Sequence, residues 1–270
     1  MRILFRILHL LAWMILWTIS TIAFMLSVVF AIPVWIVSYI ITGNGIGLTQ
    51  KAYEATEKLI DASVRFEDRV WDSLDKTFWS RCWKHLRRIC RHKSLVFKYS
   101  RMFGIPLRGL FHDLSKFHPT EFFESVKYWS ETGSPINEAK KQKGYSNAWY
   151  HHRSRNRHHW EYWADNFESG TNCPIMPYKY TVEMLCDFLA AGKTYQGDKF
   201  TFADELSWWR KKREVVKMHK VNIAYLDEVL TGLANAEQSG TVIADPKEYS
   251  RACYSRAYDT YKDEPRTINS

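Results

Sequence analysis

Residues 112–117 read His112-Asp113-Leu114-Ser115-Lys116-Phe117. A His followed directly by an Asp puts an imidazole and a carboxylate side by side. On a helix the two would stand about 100° apart and approach one cation from two sides. Mixed nitrogen and oxygen donors suit Zn, Mn or Fe better than the all-oxygen cages that calcium prefers. The dipeptide alone is a weak signal, and its neighbours give it weight. His92 lies upstream, the pairs His151-His152 and His158-His159 lie downstream, and Asp187 follows on an apolar-periodic segment.

Around this stretch the chain reads as helical. Arg81 to Met102 is expected to form one helix, and Gly104-Ile105-Pro106 ends it. Leu107 to Phe117 is expected as the helix that carries the His-Asp pair, stopped by Pro119. A third runs from Thr120 to Trp129, and the glycine, proline and lysines of 132–144 suggest a surface loop. Ser146 is placed to cap a helix holding Trp149 and His152. If that helix ran on to His159, the two histidines would be about 10.5 Å apart along its axis, too far to share a metal. A corner is therefore expected, with a new helix capped by Asn156. Further helices are expected at Tyr180–Ala191 and Met218–Leu233, and residues 236–270 as a loosely structured tail. No β alternation of useful length appears, so the class is all-α.

The N-terminal part is different. Ile3 to Ile41 is apolar apart from Arg6, His9 and a few Ser and Thr. A crossing needs about 20 residues, so 1–42 is expected as a membrane anchor, with one or two passes left open. The run is too long for the core of a signal peptide. Three glycines between Thr42 and Gly47 suggest a hinge. Ala52, Leu59, Phe66, Val70, Leu74 and Phe78 then recur near the helical period, giving a hinge and amphipathic stalk over 43–79. That seam reads either as a homodimer coiled coil or, preferred because the register drifts, as a helix packed on the domain at 80–235.

The net charge of +9 is uneven. Arg81 to Arg101 contains eight Lys or Arg and no acid, which favours an anionic partner (a nucleotide, nucleic acid or lipid surface) or else marks a solvated helix face. The five cysteines show no CxxC pair, and a reducing, cytoplasmic side fits them better than a disulfide framework.

The order His92, His112-Asp113, downstream His, Asp187 resembles the HD superfamily of metal-dependent phosphohydrolases. More closely, the patterns HDLSKF at 112–117, Ala148-Trp149-Tyr150-His151-His152, Asn156-Arg157-His158-His159-Trp160-Glu161-Tyr162-Trp163, Met176 to Tyr180 and Glu183-Met184-Leu185-Cys186-Asp187 are similar to an uncharacterised family of bacteria and their phages. The resemblance implies an HD-like helical domain that binds one or two divalent transition metals (Mn, Fe, Zn or Ni). It implies His92, His112, Asp113 and Asp187 as ligands; of the two His-His pairs, His152 and His159 are expected to join them, with His151 and His158 as donors behind. Lys116 would act in catalysis beside Asp113, and Arg108 or Arg155 would neutralise an anionic substrate. In two-metal HD enzymes the two extra histidines stand far apart in sequence, whereas here they are seven residues apart, which leaves the metal count open. The expected activity is membrane-anchored hydrolysis of a phosphate ester, with a nucleotide as the candidate substrate. A di-iron oxygenase of the same superfamily and a binding module with a structural metal are the alternatives.

Overall fold

The computed structural model describes residues 78–164 and 173–264. The anchor, the hinge and nearly all of the stalk expected from the sequence lie outside the described residues. Among the described residues no helix is long and apolar enough to cross a membrane, and there is no strand.

Nine α-helices are described: α1 (Phe78–Met102), α2 (Pro106–Phe111), α3 (Pro119–Lys127), α4 (Pro135–Lys143), α5 (Asn147–Arg155), α6 (Tyr178–Gln196), α7 (Phe202–Lys212), α8 (Lys220–Gln238) and α9 (Pro246–Tyr261). Helix α1 buries His85, Ile89, His92, Val96 and Tyr99, a stripe at alternating spacings of four and three. His92 is thus carried inward between Ile89 and Val96. The stripe lies along α6, whose first half is buried nearly all round, from Tyr180 to Cys186. Leu185, Leu189, Val221, Tyr225, Leu226, Val229 and Leu230 are fully buried and join α6 to α8. Each such aliphatic side chain contributes roughly 1.5–3 kcal/mol on burial.

Helix α2 can lie on α1 because of Gly109. A Cβ there would come within 2.6 Å of the Ser100 side chain and 3.0 Å of the Phe97 Cα. Helices α3 and α5 are joined by Glu124, whose carboxylate accepts from Ser146 Oγ at 2.6 Å and from the backbone N–H of Asn147 and Ala148 at 3.2 Å. A carboxylate on these otherwise unpaired N–H groups also complements the helix dipole. Arg88 pins the chain after α3 to α1 by donating to the carbonyls of Ser130, Glu131 and Gly133 while stacking 3.9 Å from the Trp129 ring. Lys84 pairs with Glu131 at 3.0 Å. Part of the basic stretch therefore holds the fold together.

Two expectations are corrected. Residues 132–144 are not all loop, because Pro135 occupies the first turn of α4 and Gly144, at φ 81°, ends it. Proline at a helix start and glycine just past its end are helix signals, and in a lysine-rich segment they resemble loop composition. Nor is 236–270 a loose tail throughout. Asp245 caps α9 by accepting from Glu248 N, and α9 buries Ser250, Cys253 and Ala257 against α8. Its inward face is made of small residues and tyrosines, with no Leu, Ile or Val to set out the apolar period that reveals a packed helix.

Candidate metal centre

Three pieces of chain meet at residue 113. Helix α2 ends at Phe111, His112 turns extended (ψ 132°), and Asp113 takes the left-handed conformation at φ 52°, ψ 35° before a 3-10 turn over Leu114–Phe117. The continuous helix expected over 107–117 is therefore broken at the His-Asp pair. Lys93 stabilises the break by donating to the carbonyls of Leu110 and His112. A left-handed non-glycine residue costs on the order of 1–2 kcal/mol, least for Asp and Asn. Here the reversal turns both side chains inward, leaving His112 1% and Asp113 2% exposed.

Two donor groups share Asp113. In the first, His92 Nε2 lies 3.0 Å from Asp187 Oδ1, while His112 Nε2 lies 3.1 Å from Asp113 Oδ2 and 3.5 Å from Asp187 Oδ1. In the second, His152 Nε2 and His158 Nε2 each lie 3.4 Å from Asp113 Oδ1, with His159 completing the set. Within each group one ligand atom per residue lies within 4.8 Å of all the others. The corner expected before His158 is present. Helix α5 stops at Arg155, Asn156 donates to Ser115 Oγ and to the His152 carbonyl at 2.8 Å, and a 3-10 turn follows at Trp160–Tyr162 in place of a new α-helix. Asn156 thus ties the corner to the 112–117 stretch, and the rings of His158 and His159 stand 4.2 Å apart.

The donor set fits a metal on its own chemistry. Both oxygens of Asp113 and the Nε2 atoms of His92, His112, His158 and His159 are buried, and apart from the Lys116 ammonium on Asp113 Oδ2 this cluster of donors faces mainly itself and Asp187. A buried, converging set of imidazole nitrogens and carboxylate oxygens is what a transition ion requires. The charges agree. Burial raises the Asp113 carboxyl, but His112, His152 and Lys116 outweigh it and hold it well below the usual range. Asp187 is likewise held low, by His112 and His92 against burial. Burial lowers His92 to about 4 and His159 well below the ordinary histidine value, so both rings are neutral and able to ligate. Burial also opposes charge on His112, yet Asp113, Asp187 and Glu183 raise it well above the ordinary value. The carboxylates thus hold a proton where a cation would go.

Behind the donors stand two glutamates that motif reading did not single out. Glu183 Oε1 lies 3.2 Å from His112 Nδ1 and 3.5 Å from His158 Nδ1. Burial raises its carboxyl, and hydrogen bonds from these two rings bring it down to about 2. Glu121 Oε2 lies 2.8 Å from His152 Nδ1 and its Oε1 2.6 Å from His151 Nδ1. Carboxylates behind ligating imidazoles fix tautomer and ring orientation. Glu183 was open to discovery, one helical turn before Asp187 on the same face; nothing local to Glu121 marked it.

The remaining candidates fall as follows. His158, expected behind the ligands, presents Nε2 to Asp113. His151 sits behind Glu121, stacked 4.2 Å from the His118 ring. Lys116, on the stretch expected as a continuous helix, pairs with Asp113 Oδ2 at 2.7 Å across the 3-10 turn, its side chain 26% exposed. Arg108 Nε donates to Glu183 Oε2 at 2.7 Å, with the guanidinium 4.4 Å from the Tyr180 ring. Arg155 donates to the His151 carbonyl and Ser154 Oγ at the exposed end of α5, away from the donor atoms.

The model of a family of unknown function, DUF5662, matches residues 81–232. The chain belongs to this family. No curated protein and no solved structure matches it. The DUF5662 span contains every residue of both donor groups and both glutamates, and it stops within α8, so α9 lies beyond it.

Proposed function

We propose that this DUF5662 protein is a metal-dependent hydrolase of phosphate esters. The observation that carries the reading is Asp113, a buried carboxylate set between two groups of imidazoles and shared by both. The order His92, His112-Asp113, Asp187, similar to that of HD phosphohydrolases, supports it. Residues of the two groups would hold one or two divalent transition metals. A metal bound there supplies Lewis acidity toward a phosphoryl oxygen and lowers the pKa of a water toward neutrality. The chain's own part is to orient and to neutralise. Glu183 and Glu121 hold the Nδ1 side of three rings, so that their Nε2 atoms face Asp113. Burial keeps Asp113 in a medium where charge interactions are several times stronger than in water. Lys116, paired to Asp113, brings a fixed positive charge to the centre, and such a charge stabilises the negative charge that builds on a phosphoryl group.

The same reading tethers the centre to a membrane through 1–42, supported by the apolar run from Ile3 to Ile41. Retention of the full chain in the membrane fraction after an alkaline wash agrees with this, and release into the supernatant contradicts it. The activity is tested on the purified full chain, loaded in turn with Mn, Fe, Zn and Ni, against a broad panel of phosphate mono- and diesters. Turnover that disappears on chelation is expected. A metal-loaded protein that cleaves none of them overturns the reading, and iron-dependent oxygen consumption would put an oxygenase in its place.

A further inference from the structure

We infer that Glu183 is a positioning residue shared by both metal positions, so that a change at this one carboxylate weakens the two together. The inference rests on the metal centre proposed above and not on the reaction assigned to it. His112 belongs to the donor group with His92 and Asp187, and His158 to the group with His152 and His159. One oxygen, Glu183 Oε1, faces the Nδ1 atoms of both, at 3.2 and 3.5 Å. An ionised carboxylate only accepts hydrogen bonds, so each Nδ1 facing it carries the proton. That leaves Nε2, the buried atom on the Asp113 side, as the nitrogen each ring would offer a metal, which on His112 takes the place of a proton.

Glu183 is itself held. Two guanidinium nitrogens of Arg108 donate to Oε2. The same guanidinium stacks on the Tyr180 ring, whose hydroxyl accepts from Arg157 Nη1 at 3.2 Å. With Oε2 clamped, Oε1 cannot swing to serve one ring alone. The clamp also decides against a third ion. His112, His158 and Glu183 are spaced closely enough to form a donor group of their own. An ion there would need lone pairs on both Nδ1 atoms, would lie beside a guanidinium, and would leave both Nε2 atoms protonated toward Asp113. Glu121 gives the contrast, because the ligand ring it faces is His152, of the second group alone.

The test is titration of the chelated full chain with Mn(II), read by calorimetry and by bound metal after desalting, for wild type, Glu183→Gln and Glu121→Gln. Circular dichroism confirms folding, and Glu183→Asp serves as the conservative partner. Wild type is expected to take up two ions. Glu183→Gln is expected to lose roughly 10–100-fold in affinity at both positions, the scale for a carboxylate behind a metal-bound imidazole. Glu121→Gln is expected to weaken one position only, and Glu183→Asp to recover part of the loss. A folded Glu183→Gln that binds both ions as wild type does, or that weakens only one, overturns the inference; so does a wild type that saturates with a single ion. Should Glu183→Gln fail to fold, Arg108→Gln, which frees Oε2 at the partly exposed end of the pair, must weaken both positions, and an unchanged titration counts against the shared role. No turnover is read, so failure of the hydrolase reading leaves the result intact.

Discussion

The ammonium of Lys116 lies 2.7 Å from Asp113 Oδ2, three residues along the chain and on the same 3-10 turn. Burial disfavours its charge, but the carboxylates of Asp113 and Asp187 outweigh burial and raise its pKa above the usual lysine value. A fixed cation stands at the carboxylate that the two donor groups share.

Lys116→Ala is expected to keep the bound metal and the fold while turnover falls by about 10²–10³, the scale for removing one charge-stabilising donor. Metal content and initial rates on a cleaved phosphate ester, measured on the same preparation, check this. Full turnover with full metal would remove Lys116 from the mechanism.

Asp113 tests backbone and chemistry separately. Asn tolerates the left-handed conformation that Asp113 adopts at φ 52°, and Ala tolerates it less well. Asp113→Asn and Asp113→Ala should both lose metal. In chelator, the Ala variant should be less stable than the Asn variant by roughly 1 kcal/mol. Urea denaturation of both proteins measures the difference.

Ser250 tests the packing of α9. It is fully buried, and its hydroxyl meets those of Tyr178 at 3.1 Å and Tyr225 at 2.7 Å. Ser250→Leu should destabilise by about 1–3 kcal/mol through overpacking alone, with the lost hydrogen bonds adding to it. A thermal melt unchanged by the substitution would return 246–261 to the status of a loose tail.

Glu205 supplies a pH dependence. Burial, with Asp187 and Asp204 adding to it, raises its carboxyl to about 8. Gly192 makes room for that carboxyl, since a Cβ at Gly192 would lie 2.4 Å from Glu205 Oε2. The folded pKa exceeds the unfolded one, so the folded state binds the extra proton and stability falls as pH rises from about 4.5 through about 8. Glu205→Gln should flatten that slope and raise the melting temperature above pH 8 relative to wild type. An unchanged slope between pH 5 and 9, read by differential scanning calorimetry in chelator at about unit steps, contradicts this.

The sequence showed the centre more clearly than the scaffold that aims it. His92, His112, Asp113 and Asp187 stood out because few residue types ligate metals and their order was familiar. The helix bearing Asp187 was legible from apolar spacing, and the one bearing His92 as the run that Gly104-Ile105-Pro106 ends. The break at 112–113 was not, because no glycine or proline marks it and Asp113 enters the left-handed region without one. Helix α4 was hidden by its lysines and α9 by an inner face of small residues and tyrosines. Glu183 and Glu121 act through tertiary contacts with rings 71 and 31 residues away, and periodicity carries no information at that range. The role of His158 depended on which way the corner at Asn156 turns, and two adjacent histidines look alike until that turn is known.

The most direct measurement is elemental analysis of the purified full chain, wild type beside Asp113→Asn, with circular dichroism on both. Wild type should carry Mn, Fe, Zn or Ni at near-stoichiometric level, and folded Asp113→Asn should carry almost none. A folded wild type that holds no transition metal, as purified or after incubation with each of the four, would contradict a metal centre at Asp113.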